Sequence, residues 1–207
     1  MTTDQTRALI IIGAGGHGRV VADIARKSGL YDTIGFLDDE PSEKTRTIGK
    51  TAAYVDYLGR ADFAVAIGNA AVRRRFFEAL SQHHARIVTL IHPQAVIGEN
   101  VVIGRGTVIA AGAVVNPGAR IGDGVIINTS SSVDHDCMVG DFCHISVGAH
   151  LAGTVTVGEE TFIGAGAIVI NNMTICGQCT VGAGAVVVRS ITEPGTYIGV
   201  PAKRMMK

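Results

Sequence analysis

The strongest pattern in the chain is a six-residue hydrophobic repeat that begins at Ile91 and continues without interruption to Thr192. Every hexad in this run starts with Ile, Leu or Val, and its fifth residue is almost always small or β-branched. A large apolar residue followed four positions later by a small one suits the interior of a narrow coil. Hexapeptide periodicity is typical of a parallel β-helix, in which each wall of a triangular coil is one hexad.

Three hexads complete one turn of such a coil, so residues eighteen apart in sequence are expected to lie side by side in neighbouring coils. Glycine is frequent at the second and fourth positions of the hexads, as in Gly98 and Gly106. Tight corners need unusual backbone angles, which glycine accepts without a clash from a Cβ atom. Because no insertion interrupts the repeat, any chemistry here must come from side chains on the coil or from neighbouring subunits.

The first third of the chain has a different pattern, in which short apolar runs alternate with segments of helical spacing. The predicted strands are 8–12, 33–37, 63–67 and 87–91, and the predicted helices are 19–27 and 71–82. This alternation is half of a doubly wound nucleotide-binding fold. We therefore predict a half-Rossmann α/β domain over residues 1–90, an all-β parallel β-helix over 91–192 and a C-terminal tail over 193–207.

A glycine-rich loop follows the first predicted strand and opens the first predicted helix. Gly13, Gly15 and Gly18 fit G-x-G-x-x-G, and Asp38 ends the next strand, where a carboxylate binds ribose hydroxyls. Backbone N–H groups at the start of the helix would face phosphate oxygens, and His17 is a further donor. Since only about 80 residues precede the coil, one mononucleotide half fits better than NAD. A tight turn that binds no ligand is the alternative.

Polar residues cluster in one part of the repeat, from Asn128 to Asp136. His135 lies between Asp134 and Asp136, and a histidine with a carboxylate partner is the usual general base near neutral pH. Gly153 lies eighteen residues later, so it is expected beside His135 in the next coil. Its backbone N–H would be available to a developing oxyanion, and this combination suits acyl transfer. A solvated turn histidine is the alternative.

Two further histidines, His144 and His150, occupy the sixth position of successive hexads and are therefore expected on adjacent walls. Such walls diverge, so the two rings cannot converge within one subunit. A trihistidine zinc site shared between subunits, as in β-helical carbonic anhydrases, is an alternative. We predict no metal.

Composition excludes several classes of protein. Lys plus Arg and Asp plus Glu number 18 each, which argues against a nucleic-acid-binding surface. No apolar stretch approaches the roughly 20 residues of a membrane span, so none is predicted. The polar N-terminus does not match a secretory signal, and we expect a cytoplasmic protein.

Taken together, these features resemble the bacterial sugar acetyltransferases of the sialic-acid O-acetyltransferase (NeuD-like) family. The PglD-like branch, which N-acetylates UDP-4-amino-4,6-dideoxy sugars, is the most similar. The resemblance covers essentially the whole chain. It rests on GAGGHG at 13–18, FLDD at 36–39, AIGN at 66–69, LIH at 90–92, NTSS at 128–131, VDHD at 133–136, HISVGA at 144–149 and GVPAKR at 199–204.

The resemblance implies a left-handed β-helix, a homotrimer and an active site where two β-helices meet. It implies that the N-terminal domain binds a nucleotide-activated amino sugar, with UDP as the favoured carrier. The residues implied for that substrate are Gly15, Gly16 and His17 at the phosphates, Asp38 and Asp39 at the nucleoside, and Gly68 close by. Acetyl-CoA would run along the groove between helices, lined by His144, Gly153, Ala165 and Ala183.

In this family His135 would take the proton from the sugar 4-amino group as that amine attacks the thioester, without an acyl-enzyme. Relatives often have Glu directly after the catalytic histidine, whereas this chain has Asp136, so either Asp134 or Asp136 could orient the ring. The predicted function is therefore N-acetylation of a nucleotide-linked 4-amino-4,6-dideoxy sugar by acetyl-CoA. The alternatives are an O-acetyltransferase acting on sialic acid or a related sugar, and a non-catalytic nucleotide-sugar sensor or scaffold.

Overall fold

Two structural units, divided between Pro93 and Gln94, make up the chain. The computed structural model describes residues 7–40 and 45–205. In that part of the chain, neither α-helix is long and apolar enough to cross a membrane.

The N-terminal unit is a three-stranded parallel sheet with the order β2-β1-β3. Its elements are β1 (Ala8–Ile12), α1 (Gly16–Ser28), β2 (Thr33–Leu37), a 3₁₀ helix (Thr51–Tyr57), β3 (Asp62–Val65), α2 (Ala70–Gln82) and β4 (Leu90–Ile91). Leu9, Ile11 and Ile12 of the central strand are fully buried. Each contributes about 1.5–3 kcal/mol by its removal from water.

The predicted βαβ elements are confirmed, with one exception. The predicted strand 87–91 was wrong in length, since Ile87 forms only an isolated bridge with Phe63 and β4 is two residues long. Val88 N–H donates to Phe63 O, and Leu90 and Ile91 then form the separate strand β4. Gly29 ends α1 in the left-handed conformation, with φ 67°. The Asn69 side chain begins α2 by accepting a hydrogen bond from Val72 N–H.

The C-terminal unit is a parallel β-solenoid whose two-residue strands recur every six residues. These strands, β5 to β20, are Val96–Ile97, Val102–Ile103, Val108–Ile109, Val114–Val115, Arg120–Ile121, Ile126–Ile127, Ser132–Val133, Met138–Val139, His144–Ile145, His150–Leu151, Thr156–Val157, Phe162–Ile163, Ile168–Val169, Thr174–Ile175, Thr180–Val181 and Val186–Val187. Each strand pairs with the strand eighteen residues away, for example Ile127 with Ile145. The eighteen-residue coil predicted from the hexads is therefore confirmed.

Three walls result from this pairing. The first wall contains β7, β10, β13, β16 and β19, the second contains β5, β8, β11, β14, β17 and β20, and the third contains β6, β9, β12, β15 and β18. In the described residues after Ser190, β21 (Thr196–Ile198) extends the first wall in parallel and β22 (Lys203–Arg204) pairs with β21 antiparallel. The first and fifth residues of the hexads fill the interior, as Ile145 and Ala149 illustrate.

Corners between walls have a common backbone conformation at the fourth position of the hexad. From Asn100 to Gly184 this residue has a positive φ, between 55° and 76°, whether or not it is glycine. Glycine at the second position has another cause, because a Cβ atom at Gly164 would lie 2.6 Å from Ala183 N in the next coil. The expectation that corner glycines serve unusual backbone angles therefore holds at position four, and close approach explains position two.

Candidate active site

His135 lies at an edge of the solenoid with its ring turned toward solvent. We call the corner residues 116–118, 134–136, 152–154 and 170–172 the His135 edge. The His135 Nδ1 atom lies 2.9 Å from Asp136 Oδ2. Because a carboxylate can only accept, Nδ1 carries the proton and Nε2 retains its lone pair. Asp136 is therefore the residue that orients the ring, which resolves the alternative left open by the sequence.

Asp134 forms hydrogen bonds with the backbone of His135 and with Asn116. Its Oδ1 atom accepts hydrogen bonds from His135 N–H and from Asn116 Nδ2, each at 2.7 Å. Asp134 therefore holds the backbone of His135, while Asp136 holds the ring. Sequence reasoning missed Asn116, although it lies eighteen residues before Asp134 and the period of the coil would have pointed to it.

The predicted proximity of Gly153 to His135 is visible in the packing of the two residues. A Cβ atom on residue 153 would overlap with His135 Nε2 and lie 2.7 Å from Cε1. Glycine at this position therefore leaves room for the ring and for a reactant beside Nε2. The Gly153 N–H donates no hydrogen bond to the described residues, so it is available as an oxyanion donor.

Electrostatics favour a basic ring at this site. The hydrogen bond that His135 Nδ1 donates to Asp136 raises the pKa of His135 above its ordinary value of 6.5, and the charges of Asp134 and Asp136 add to the effect. The pKa of Asp134 is lowered, first by its hydrogen bond from Asn116 and then by the one from His135 N–H. The raised pKa makes the His135 ring a stronger proton acceptor, and the lowered pKa of Asp134 keeps that carboxylate ionised near neutral pH.

The residues predicted to line the acetyl-CoA groove fall on different parts of one subunit. Gly153 belongs to the His135 edge, whereas Ala165 and Ala183 lie eighteen residues apart on a second edge, made of corner residues 128–130, 146–148, 164–166 and 182–184. His144 projects from the first wall in β13. The structure thus brings together His135 and Gly153, and separately Ala165 and Ala183.

His144 has partners of its own on the first wall. Its Nε2 atom lies 3.1 Å from Asn128 Nδ2, and its ring meets Phe162 edge to face at 5.1 Å. Asn128 Oδ1 accepts from Thr129 N–H, which turns the amide nitrogen toward His144. His144 Nε2 is therefore an acceptor, and its Nδ1 carries the proton.

In the glycine-rich loop, the fold requires glycine at positions 13 and 18 but not at positions 15 and 16. Gly13 has φ 106°, and a Cβ atom on Gly18 would overlap with Gly13 O. By contrast, a Cβ atom on Gly15 or Gly16 would meet nothing within 4 Å. Gly15 is the N-cap of α1 without a side-chain hydrogen bond, so the first N–H groups of the helix face this open space.

Arg73 interacts with both His17 and Gly68 near the glycine-rich loop. Arg73 is buried and its Nη1 atom donates to Ile67 O at 2.7 Å and to Gly68 O at 2.9 Å. Burial, followed by the charge of Arg73, lowers the pKa of His17 to about 4. His17 is therefore a neutral ring at physiological pH, able to donate one hydrogen bond to a phosphate. Sequence reasoning missed Arg73, which reads as an ordinary helix residue.

The two aspartates that follow β2 make local contacts. Asp38 Oδ2 accepts from Ala14 N–H at 2.6 Å, so this carboxylate ties the glycine-rich loop to the end of β2. Asp39 accepts from the backbone N–H and the hydroxyl of Thr51, which lowers its pKa and anchors the 3₁₀ helix. Asp38 therefore reaches the predicted phosphate loop, while Asp39 shapes the segment beside it.

Among residues 7–40 and 45–205, no group of His, Cys, Asp and Glu side chains has the arrangement of a metal site. Ser132 Oγ lies 2.9 Å from His150 Nδ1, and this histidine is on a different wall from His144.

Two family profiles match the chain: the PglD N-terminal domain over residues 8–80 and the bacterial transferase hexapeptide (six repeats) over residues 88–117. A curated UDP-N-acetylbacillosamine N-acetyltransferase from Bacillus subtilis (strain 168) is 37% identical over 104 residues. That match covers 47% of this chain and 48% of the relative, so it spans about half of the relative's length.

Solved structures match over nearly the whole chain. The acetyltransferase domain of PglB from Neisseria gonorrhoeae FA1090 is 43% identical, with a TM-score of 0.92, covering 96% of this chain and 100% of that domain. PerB from Caulobacter crescentus, in complex with CoA and GDP-perosamine, is 38% identical with a TM-score of 0.91, covering 96% of this chain and 97% of PerB.

Further structures of the Caulobacter perosamine N-acetyltransferase carry one histidine replaced by Asn or by Ala, again with CoA and GDP-perosamine. The expected fold is confirmed by these likenesses: a half-Rossmann domain, predicted from the alternating pattern, followed by a β-helix whose left-handedness the resemblance implied. The chain belongs to the PglD-like family of hexapeptide-repeat sugar acetyltransferases.

Proposed function

We propose that this protein transfers the acetyl group of acetyl-CoA to the 4-amino group of a nucleotide-linked 4-amino-4,6-dideoxy sugar. The observation that carries the proposal is His135 Nε2, an unprotonated nitrogen on a ring held by Asp136 and facing the space beside Gly153. The relatives with CoA, acetyl-CoA or GDP-perosamine bound support the two substrate classes.

The reaction needs one proton transfer and one bond exchange. The amine nitrogen attacks the thioester carbonyl carbon while Nε2 takes a proton from the amine, and the tetrahedral oxyanion accepts a hydrogen bond from Gly153 N–H. The C–S bond then breaks, and the imidazolium returns its proton to the departing thiolate. The products are the N-acetylated sugar nucleotide and CoA, with no covalent bond to the enzyme. Asp136 stabilises the imidazolium between these steps.

The nucleotide end of the sugar substrate fits the glycine-rich loop. The open space at Gly15 and Gly16, the first N–H groups of α1 and the neutral His17 together suit a diphosphate. Asp38, Asp39 and the Gly68 region would flank the nucleoside. We take UDP as the carrier to test first, with GDP second because of the Caulobacter relative.

A homotrimer accounts for the placement of the acetyl-CoA residues. Gly153 on the His135 edge and Ala165 and Ala183 on the second edge cannot line one narrow groove within a single coil. They can do so when the His135 edge of one protomer faces the second edge of its neighbour, with His144 on the adjoining wall. Since acetyl-CoA and nucleotide sugars are made in the cytoplasm, we place the reaction there.

The experiment that tests this function measures CoA release with UDP-, GDP- and dTDP-linked 4-amino-4,6-dideoxy sugars and with free sialic acid. We expect turnover with one nucleotide amino sugar and a loss of about 10²–10⁴ in kcat for His135→Ala. The His150→Ala variant, which removes another exposed coil histidine, serves as the control. Turnover with sialic acid alone would establish O-acetylation instead, and no turnover with any of these acceptors would favour a sensor or scaffold. Full activity of His135→Ala would exclude His135 as the base.

A further inference from the structure

We propose that Asn116, one coil away from the catalytic histidine, is a positioning residue that fixes His135 through the Asp134 carboxylate. The proposal rests on the function proposed above, because it concerns the placement of the base in that reaction. Asn116 would not contact either substrate. Its effect would be on where the His135 backbone lies.

A single carboxylate oxygen connects the two residues. Asp134 Oδ1 accepts from Asn116 Nδ2 and from His135 N–H, each at 2.7 Å. Asn116 is itself held in the coil, since its N–H donates to Val133 O at 2.9 Å. The carboxylate is thus fixed from the coil of Asn116 and in turn fixes the N–H of the histidine.

The ring of His135 has few other supports. Its side chain is 56% exposed, and Asp136, which holds Nδ1, is itself an exposed residue with φ 57°. Asp136 N–H donates to Pro117 O at 3.1 Å, so the corner that contains Asn116 supports both ends of the dyad. A displacement of about 1 Å in a catalytic group is enough to cost on the order of 10²-fold in rate.

The solenoid itself does not require this side-chain contact. On the same edge, Ala152 and Ile170 occupy the position equivalent to Asn116 and Asp134 in the following coils. Ala152 N–H still donates to Val169 O at 3.0 Å, and Ile170 N–H to Val187 O at 3.1 Å. Apolar residues therefore keep the same backbone register, and the Asn116–Asp134 pair occurs where the catalytic histidine follows.

The first variant to test is Asn116→Ala in the full chain. We expect kcat to fall about 10- to 30-fold while KM for both substrates and the melting temperature change little, since only the base is displaced. Gln178→Ala is the matched control, because Gln178 Nε2 makes a side-chain bond to Glu160 Oε2 across the same eighteen-residue spacing at another edge. We expect this control to retain wild-type kcat.

A double-mutant cycle separates action through Asp134 from a general structural role. If Asn116 acts through that carboxylate, Asn116→Ala adds no further loss of kcat to Asp134→Ala. Asn116→Asp gives a second readout, since it places a like charge against Asp134. Its activity relative to the wild type should fall as pH rises from about 4 to about 7, because protonation of one carboxyl at the lower pH restores a donor.

Three outcomes would overturn the positioning role: wild-type kcat in Asn116→Ala, additive losses in the cycle, or a pH-independent ratio for Asn116→Asp. His135→Ala belongs in the same assay. If that variant is inactive and Asn116→Ala is fully active, only the positioning role fails. If His135→Ala is itself active, the proposed function fails and the positioning role fails with it.

Discussion

Glycine serves opposite purposes in the two units of this protein. In the glycine-rich loop, a Cβ atom on Gly15 or Gly16 would meet no described residue within 4 Å. On the His135 edge, Gly153 borders the His135 ring, and Gly118 lies under Asp136, where a Cβ atom would come within 2.5 Å of Oδ1. The loop glycines leave room for a ligand, whereas the edge glycines leave room for the protein's own side chains.

This difference separates binding from catalysis. Adding a methyl group in the loop should disturb a ligand and spare the fold, while adding one at the His135 edge should disturb the base itself. The two units can therefore be tested with the same kind of substitution and different readouts.

Gly153→Ala is the substitution with the largest expected effect. The new methyl group would overlap with His135 Nε2 and force the ring from its place. We expect a loss of about 10²–10³ in kcat, comparable to removal of an oxyanion donor, with the fold retained. Steady-state kinetics and circular dichroism would measure both. Gly177→Ala is the control: it occupies the same hexad position at another edge, and its nearest neighbour would be 3.1 Å away. Equal losses of kcat in Gly153→Ala and Gly177→Ala would show that the effect at Gly153 does not come from its contact with the His135 ring.

The next effect concerns stability and lies in the N-terminal unit. The pKa of the partly buried His17 is lowered to about 4, so near pH 6.5 the unfolded chain takes up a proton that the folded chain does not bind. Stability should therefore fall as pH drops from 6.5 toward 4, by up to about 3 kcal/mol from this group. Urea unfolding followed at 222 nm from pH 7.5 to 4.5 would measure it. His17→Gln should remove this component, and His83→Gln, which alters an exposed histidine, should not.

Asp136→Asn tests the electrostatic part of the His135 edge. The wild-type kcat/KM should rise with pH through an apparent pKa above 6.5, because the base must be neutral and Asp136 raises its pKa. In the variant that limb should move to lower pH, and kcat should fall about tenfold as the imidazolium loses its partner. Glu160→Gln, at the same hexad position on another edge, is the control. An unshifted limb in Asp136→Asn would contradict this role.

Gly16→Ala should have the smallest effect, and it should act in opposite directions on ligand affinity and on helix stability. The methyl group enters the open space at the loop, so we expect affinity for UDP to fall roughly fivefold, by calorimetric titration. The same change should stabilise α1 by about 0.5–1 kcal/mol, because alanine is the better helix former. Gly18→Ala, which overlaps with Gly13 O, should instead destabilise the fold. Unchanged UDP affinity in Gly16→Ala would contradict the placement of a ligand at this loop.

Much of the fold could be predicted from local patterns. The hexads gave the interior positions and the eighteen-residue coil, and apolar runs gave β1 and β2. The unpredicted features depend on contacts between distant residues. Arg73 reaches back to Ile67 and Gly68 from within a helix, and Asp38 bonds Ala14 across the loop. The position of Asp38 after the second strand marked it as a candidate but did not reveal its bond to Ala14, and no local pattern distinguishes Arg73 from an ordinary surface charge.

The site was partly predictable for the same reason. The pairing of His135 with Gly153 followed from the period, while the roles of the two aspartates did not, because they depend on side-chain rotamers. Residues after 192 were expected to form a tail, and β21 and β22 instead continue the first wall within the described chain. Short strands without the hexad carry little periodic signal.

The left-handed backbone at the fourth position of the hexads, from Asn100 to Gly184, has a consequence for where chemistry can arise in such a coil. Since Asn, Ser, Asp, Thr, Glu and Gln all take this conformation here, any corner can hold a polar residue beside its third-position neighbour. A His-Asp pair could therefore be accommodated at many corners of such a coil. In this chain the pair lies where two glycines leave room for it: Gly118, eighteen residues before Asp136, and Gly153, eighteen residues after His135. New sites in solenoids of this kind should accordingly be sought by comparing residues that are eighteen positions apart in sequence.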